Sequence, residues 1–217
     1  MITWLSPDDP PERFPPNEAA MCDPPGLLAA GGDLTFERLV AAYQRGIFPW
    51  YSPGQPVLWW SPDPREVLLP QEFHLSRRFA RSLRTRGFEW LVDRDFAAVV
   101  AACAAPRARS PGTWITPEMA AAYCALHQRG LAHSYEIHRA GRLVGGVYGV
   151  RLGRVFFGES MFSRERDASK AALAGLVSHS AELGIELIDC QLPSAHLRSL
   201  GSRAMPRRQF LRFLEPA

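Results

Sequence analysis

Glu159 lies in Val155-Phe-Phe-Gly-Glu-Ser-Met-Phe-Ser163, an otherwise apolar, strand-like run. Phe156, Phe157 and Phe162 would cover both faces of such a strand. A lone carboxylate desolvated there is costly unless a cation or hydrogen-bond donors meet it. A structural arginine or a cationic substrate would each serve. A second strand-like run, Leu187-Ile-Asp-Cys-Gln191, alternates Asp189 and Gln191 with apolar neighbours, so both polar side chains are expected on one side of a strand. Polar groups thus appear on two neighbouring strands.

The element that must bring them together is the intervening stretch, Asp167-Ala-Ser-Lys-Ala-Ala-Leu-Ala-Gly-Leu-Val-Ser-His-Ser-Ala-Glu-Leu-Gly184. It is rich in Ala and Leu at helical spacing, with Asp at its start and Gly at its end. Strand, helix, strand is the simplest arrangement, and it turns Glu159 and Gln191 toward a common cleft. Upstream, Ala132–His138 and Arg142–Arg151 read as two strands about an Ala-Gly turn. Gly145, Gly146 and Gly149 within the second suggest bulging or a close backbone approach. Thr116-Pro117 opens a helix that Gly130 stops. Phe88–Asp93 reads as a strand, Phe96–Ala104 as a short helix, Ala105–Gly112 as a flexible segment, and 194–201 and 207–214 as two short helical pieces.

The first 64 residues are crowded with proline, which excludes long helices from most of this region. The exception is Asp33–Gly46, with Thr35 placed to cap and Gly46 to end a helix. Around it, Gly46-Ile-Phe-Pro-Trp-Tyr51 and Leu58-Trp-Trp-Ser-Pro-Asp-Pro-Arg65 concentrate aromatic residues. These either form a small aromatic core or, as Tyr43 and Trp50 and their neighbours, present flat faces to a ligand. His74–Arg86 spaces Leu75, Phe79 and Leu83 at intervals of four among Arg77, Arg78, Arg81, Arg84 and Arg86. That pattern is an amphipathic helix with a basic, acid-free face, suited to a phosphate backbone.

At 217 residues, 47% hydrophobic and 22% charged, the chain has the composition of a folded globular protein, with length for one ordinary domain and a small one. A net charge of +3 is too small to argue for a polyanion by itself. Lys170 is the sole lysine. Cys22, Cys103, Cys124 and Cys190 are scattered without paired spacing, so neither zinc nor another metal is expected. The N-terminus lacks the pattern of a secretory signal, and no apolar run reaches the roughly 18 residues of a membrane span. A cytoplasmic protein with reduced thiols and no membrane contact is expected.

The order of elements resembles the acetyltransferase-type (GNAT-type) fold, in which two central strands of a mixed sheet splay to form the acceptor cleft. The expected class is therefore α+β: a small proline- and aromatic-rich N-terminal domain over 1–64, then a GNAT-like α/β domain over 65–217. Coenzyme A enzymes of that fold hold pyrophosphate on a glycine-rich loop before the helix. Here the loop is Ser163-Arg-Glu-Arg-Asp-Ala-Ser-Lys170, without glycine, which argues against coenzyme A. More specifically, Pro25–Asp33, Gly46–Trp50, Leu58–Arg65, Gly112–Thr116, Gly158–Ser163, Ala168–Lys170 and Ile188–Gln191 together resemble the leucyl/phenylalanyl-tRNA–protein transferase family along nearly the whole chain.

That resemblance implies transfer of leucine or phenylalanine from aminoacyl-tRNA to proteins with N-terminal arginine or lysine, creating an N-degron for degradation. It implies no cofactor, and a monomer is expected. By the same resemblance Trp50, Trp114 and Phe156 help hold the terminal adenosine and aminoacyl group, with Tyr43 and Tyr123 near them. Leu176 and Ile188 line the side-chain pocket. Leu176 stands where an aromatic is common and Val147 where a longer methionine is expected. Arg77, Arg81 and Arg84 meet the tRNA acceptor stem through phosphates. Gln191 and Asp189 are the implied catalytic pair, the Gln191 carbonyl orienting the attacking N–H while Asp189 orders or polarises that amide. Glu159 meets a cationic part of the substrates. A non-catalytic tRNA-binding module, or an N-acyltransferase with another donor, is the alternative.

Overall fold

The computed structural model describes residues 2–106 and 113–215. Its first part contains β1 (Thr3–Leu5), β2 (Leu27–Gly31), α1 (Phe36–Gln44), β3 (Phe48–Pro49) and β4 (Leu58–Trp60), whose strands form one small sheet in the order β1-β2-β4-β3. Prolines and turns keep every element short apart from α1. Thr35 occupies the residue before α1, but its hydroxyl donates to Asp33 instead of accepting from the helix, so it is not the expected side-chain cap. Gly46 ends the helix at φ +67, a left-handed conformation that suits glycine.

The second part begins with β5 (Arg65–Leu68) and α2 (Arg77–Thr85), followed by β6 (Glu89–Val92), α3 (Phe96–Ala104), α4 (Pro117–Gln128), β7 (Ala132–Arg139), β8 (Arg142–Leu152) and β9 (Val155–Ser163). It ends with α5 (Ala168–His179), β10 (Leu187–Gln191), α6 (Ala195–Arg198), β11 (Arg203–Met205) and α7 (Arg207–Leu211). Seven strands make a mixed sheet in the order β11-β5-β10-β9-β8-β7-β6. Ser76 caps α2 by accepting from the Phe79 amide, and Thr116 caps α4 from Met119 with Pro117 at the first helical position. The segment expected to be flexible, 105–112, lies outside the described residues from 107 onward. β11, three residues pairing with β5, is a strand that sequence patterning does not announce.

Two apolar clusters cover the large sheet. One joins the small sheet, α3, α4 and Phe210 through Trp59, Tyr43 and Phe157; the other lies under α5 around Phe156, Leu173, Leu176 and Ile188. The neighbours Phe156 and Phe157 fall in opposite clusters, as a period of two requires. Gly145 lets α5 come close, because a Cβ there would stand 2.5 Å from the Ala168 Cβ.

The positioning feature is the seam between β9 and β10. They pair in parallel only over Val155–Phe157 against Leu187–Asp189. Beyond it β9 stays paired to β8 as far as Ser163, while β10 turns away. The sheet therefore opens between Gly158 and Gln191, and polar residues expected on adjacent strands face the opening.

Candidate functional site

A cavity of about 930 Å³ fills this opening. One end is apolar, with Val147, Met161, Leu173, Leu176 and Ile188; the other carries Glu159, Asp189, Cys190, Gln191 and Trp114. A second cavity of about 240 Å³ shares Trp114, Glu159, Cys190 and Gln191 and adds Phe48, Pro49, Trp50 and Leu192. Glu159 and Gln191 thus stand where an apolar chamber and an aromatic one meet.

Among the described residues no arginine pairs with Glu159; two tyrosine hydroxyls meet it. The Tyr43 hydroxyl donates to its Oε1 at 2.8 Å and the Tyr123 hydroxyl to its Oε2 at 2.6 Å, and the two hydroxyls are 2.9 Å apart. Tyr43 comes from α1 and Tyr123 from α4; both are buried. Desolvation pushes the Glu159 carboxyl up to about 7; hydrogen bonds from Tyr123 and Tyr43 oppose the rise, the Asp189 charge adds to it and Arg65 opposes it. Burial, then the Glu159 charge, raises both tyrosine hydroxyls well above their ordinary range.

Asp189 has the opposite surroundings. Arg65 donates from Nε to Oδ1 at 2.7 Å and from Nη2 to Oδ2 at 2.6 Å, and neither side chain has any exposed surface. The third arm of the guanidinium donates from Nη1 to the Gly46 carbonyl at 3.1 Å, and the rings of Phe48 and Phe210 each lie 4.7 Å from its carbon. This is a bidentate ion pair between aromatic faces. Asp189 Oδ1 also accepts from the backbone N–H of Gln191 at 2.9 Å. Gln191 takes φ +57 and the β10–β5 register shifts between Asp189 and Gln191. The expected simple alternation of Asp189 and Gln191 therefore breaks: a bulge re-aims the glutamine. Asp189 holds its backbone and leaves its side-chain amide untouched. The Gln191 Nε2 is buried without a partner among the described residues.

Other expected residues divide. Trp50, 39% exposed, and Trp114 face the second cavity, while Leu176 and Ile188 line the first. Tyr43 offers no flat face to a ligand, because it is wholly buried and works through its hydroxyl. Phe156 is likewise buried in the cluster under α5 and lines neither cavity, although its register partner Ile188 and its cluster neighbours Leu173 and Leu176 line the first. Arg77, Arg78, Arg81 and Arg84 are exposed on α2, with no carboxylate at ion-pair distance among the described residues. No group of metal-ligating side chains is found among the described residues. The residue that sequence reading missed is Arg65. Its signal was an arginine at the head of the short strand Arg65-Glu-Val-Leu68, whose four residues are all buried.

The splayed β9–β10 pair, the α5 crossover and the polar cleft at the split define an acyltransferase-type α/β protein, built on the GNAT plan. Comparison with known proteins makes the assignment specific. The family model described as leucyl/phenylalanyl-tRNA protein transferase matches residues 67–215, and that of its N-terminal domain matches 32–63. The leucyl/phenylalanyl-tRNA–protein transferase of Pseudomonas entomophila is 59% identical over 210 residues, 97% of this chain and 92% of its own. That of Ectopseudomonas mendocina is 57% identical over 215 residues, covering 99% and 94%. Among solved structures, FemX aligns with a TM-score of 0.48 at 11% identity over 79% of this chain and 66% of its own. A GCN5-related N-acetyltransferase from Kribbella flavida aligns at 0.43 and 12% over 77% and 60%. The chain belongs to the leucyl/phenylalanyl-tRNA protein transferase family, and so is an aminoacyltransferase.

Proposed function

We propose that this protein transfers leucine or phenylalanine from its tRNA to the α-amine of proteins beginning with arginine or lysine, acting as a cytoplasmic monomer whose products enter an N-degron degradation route. The observation that supports this most is the cleft itself. Its apolar end, Val147, Met161, Leu173, Leu176 and Ile188, has the chemistry of a leucine or phenylalanine side-chain pocket, and Glu159 and Gln191 stand at its polar end. Trp50 and Trp114 offer stacking surfaces for the terminal adenosine, and Arg77, Arg81 and Arg84 offer phosphate contacts to the acceptor stem.

The donor is an activated ester and the nucleophile an amine with an ordinary pKa of about 7.7–8.0, so positioning can supply much of the rate. In this reading the Gln191 carbonyl orients the attacking N–H, Asp189 fixes the Gln191 backbone, and Glu159 faces an amino group of the substrates. No helix among the described residues is long and apolar enough to cross a membrane. The glycine-free loop at 163–170 favours an aminoacyl ester over coenzyme A as donor.

The test is transfer of radiolabelled leucine or phenylalanine from charged tRNA to a protein beginning with Arg, beside the same protein beginning with Met. Label on the first alone is the expected result. Bound tRNA with no label on either would leave a non-catalytic tRNA-binding module.

A further inference from the structure

Three oxygen–oxygen contacts link Glu159, Tyr43 and Tyr123: 2.8 Å from Tyr43 to Oε1, 2.9 Å between the hydroxyls, and 2.6 Å from Tyr123 to Oε2. Each contact at such a distance needs one proton between its oxygens. The two hydroxyls supply two. With Glu159 ionised, both point at the carboxylate and the Tyr43–Tyr123 contact holds no proton, so two oxygens face each other bare. With Glu159 protonated, the count closes. The carboxyl donates to one hydroxyl, that hydroxyl to the other, and the second back to the free carboxyl oxygen.

We propose that Glu159, closed into this three-proton ring with Tyr43 and Tyr123, is the catalytic residue that takes the proton from the attacking amine and returns it to the leaving ribose oxygen. This rests on the aminoacyl-transfer reading and deepens it. The amine nitrogen forms its bond to the ester carbon and gives a proton to the Glu159 carboxylate. As the carbon–oxygen bond breaks, that proton passes to the ribose oxygen of the tRNA, which leaves as a hydroxyl. Nothing beyond the two substrates is consumed.

Location and surroundings agree. Glu159 and Gln191 both border the two cavities. An amide oxygen can orient an N–H but does not keep its proton near neutral pH, and Asp189 is already engaged by three N–H donors. A proton moved onto Asp189 would displace a buried guanidinium. The ionisable groups facing Glu159 are Tyr43 on α1, Tyr123 on α4, Tyr148 on β8, Asp189 on β10 and Arg65 on β5. Arg65 is committed to Asp189, which leaves Glu159 without a counter-charge of its own among the described residues. Its carboxyl is raised to about 7, close to the value at which a general base both sheds and accepts a proton readily.

The experiment is single-turnover transfer of labelled leucine to a peptide beginning with Arg, from about pH 5.5 to about pH 8.5. It compares the unaltered protein with Glu159→Gln, Tyr43→Phe and Tyr123→Phe. Glutamine can keep the ring closed, its NH2 donating to one hydroxyl and its carbonyl accepting from the other, so folding is preserved. The expected result for Glu159→Gln is a rate lowered about 100-fold, with the KM values for charged tRNA and peptide within about twofold and the limb near pH 7 gone. A mere cation-binding role would raise the peptide KM and spare the rate, and would overturn the proposal.

The tyrosine variants test the ring. Removing a hydroxyl costs the ionised form one hydrogen bond to the carboxylate but relieves its bare contact, and costs the neutral form two hydrogen bonds. The limb should therefore move to lower pH by about one unit. If the hydroxyls only stabilised the carboxylate, it would move up instead, and the three-proton ring would be wrong. The peptide amine titrates alike in every variant, so a midpoint that moves with the protein belongs to the protein. No transfer by the unaltered protein would remove the aminoacyl-transfer reading, and this proposal with it.

Discussion

Two acids, Asp189 wholly buried and Glu159 half-buried, stand on neighbouring strands of one cleft and are held in opposite ways. Asp189 on β10 is gripped by a guanidinium through two short hydrogen bonds and also takes a backbone N–H. Glu159 on β9 has, among the described residues, only two neutral hydroxyls. The difference teaches what each can do. An acid paired to a buried cation is a fixed strut, because a change in its charge would strand its partner. An acid held by hydroxyls that can turn is free to change its charge, since the same oxygens serve both states. The strut also spans the molecule: Arg65 reaches the Gly46 carbonyl, four residues before Trp50, and so ties the aromatic side of the cleft to the strand bearing Gln191.

The contrast can be broken most forcefully at Arg65. Arg65→Met leaves Asp189 buried and uncompensated, and is expected to lower stability by about 3–5 kcal/mol, as read by denaturant unfolding; a loss below about 1 kcal/mol would mean the pair is not a strut. Gln191→Ala comes next. Transfer should fall about 100-fold while tRNA affinity holds, because the residue positions and does not anchor; unchanged transfer would remove Gln191 from the reaction.

Glu159→Gln sharpens the other side through stability. A carboxyl whose folded value is raised from 4.5 to about 7 keeps its proton in the native state after the unfolded chain has lost it. The unaltered protein should therefore lose stability as pH rises from about 4.5 through about 7, by linkage. The Tm of Glu159→Gln should lack that decline, and parallel curves for the two proteins would show that Glu159 does not titrate there. The smallest effect is expected at Tyr148. Its ring packs edge-on against Tyr123 while its buried hydroxyl has no partner among the described residues. Tyr148→Phe should be neutral to mildly stabilising, within about 1 kcal/mol; a larger loss would mean that the hydroxyl belongs to the Glu159 network.

Much of this was written in local pattern. The capped α4, the basic α2, the Ala-Gly turn between β7 and β8, and the strand–helix–strand that carries Glu159 and Gln191 all follow from periodicity and end signals, which act between residues near in sequence. Family membership was likewise legible in the separated motifs. The sequence by itself determined that an acid interrupts β9 and that Asp189 and Gln191 stand close together on β10.

Only the tertiary structure decided what those residues meet. Tyr43, Tyr123 and Glu159 are separated by 80 and 36 positions, and Arg65 from Asp189 by 124. No local rule links such distances, because these partners are chosen by how helices and strands stack across the core. The alternation that should have set Asp189 and Gln191 side by side gave way to a bulge, since an Asp189 drawn onto Arg65 leaves Gln191 to turn at φ +57. Phe156 and Phe157 went to opposite faces for the simpler reason that one residue along a strand reverses the side. The pattern thus set which groups the cleft would contain, and packing set which of them is a strut and which can carry a proton.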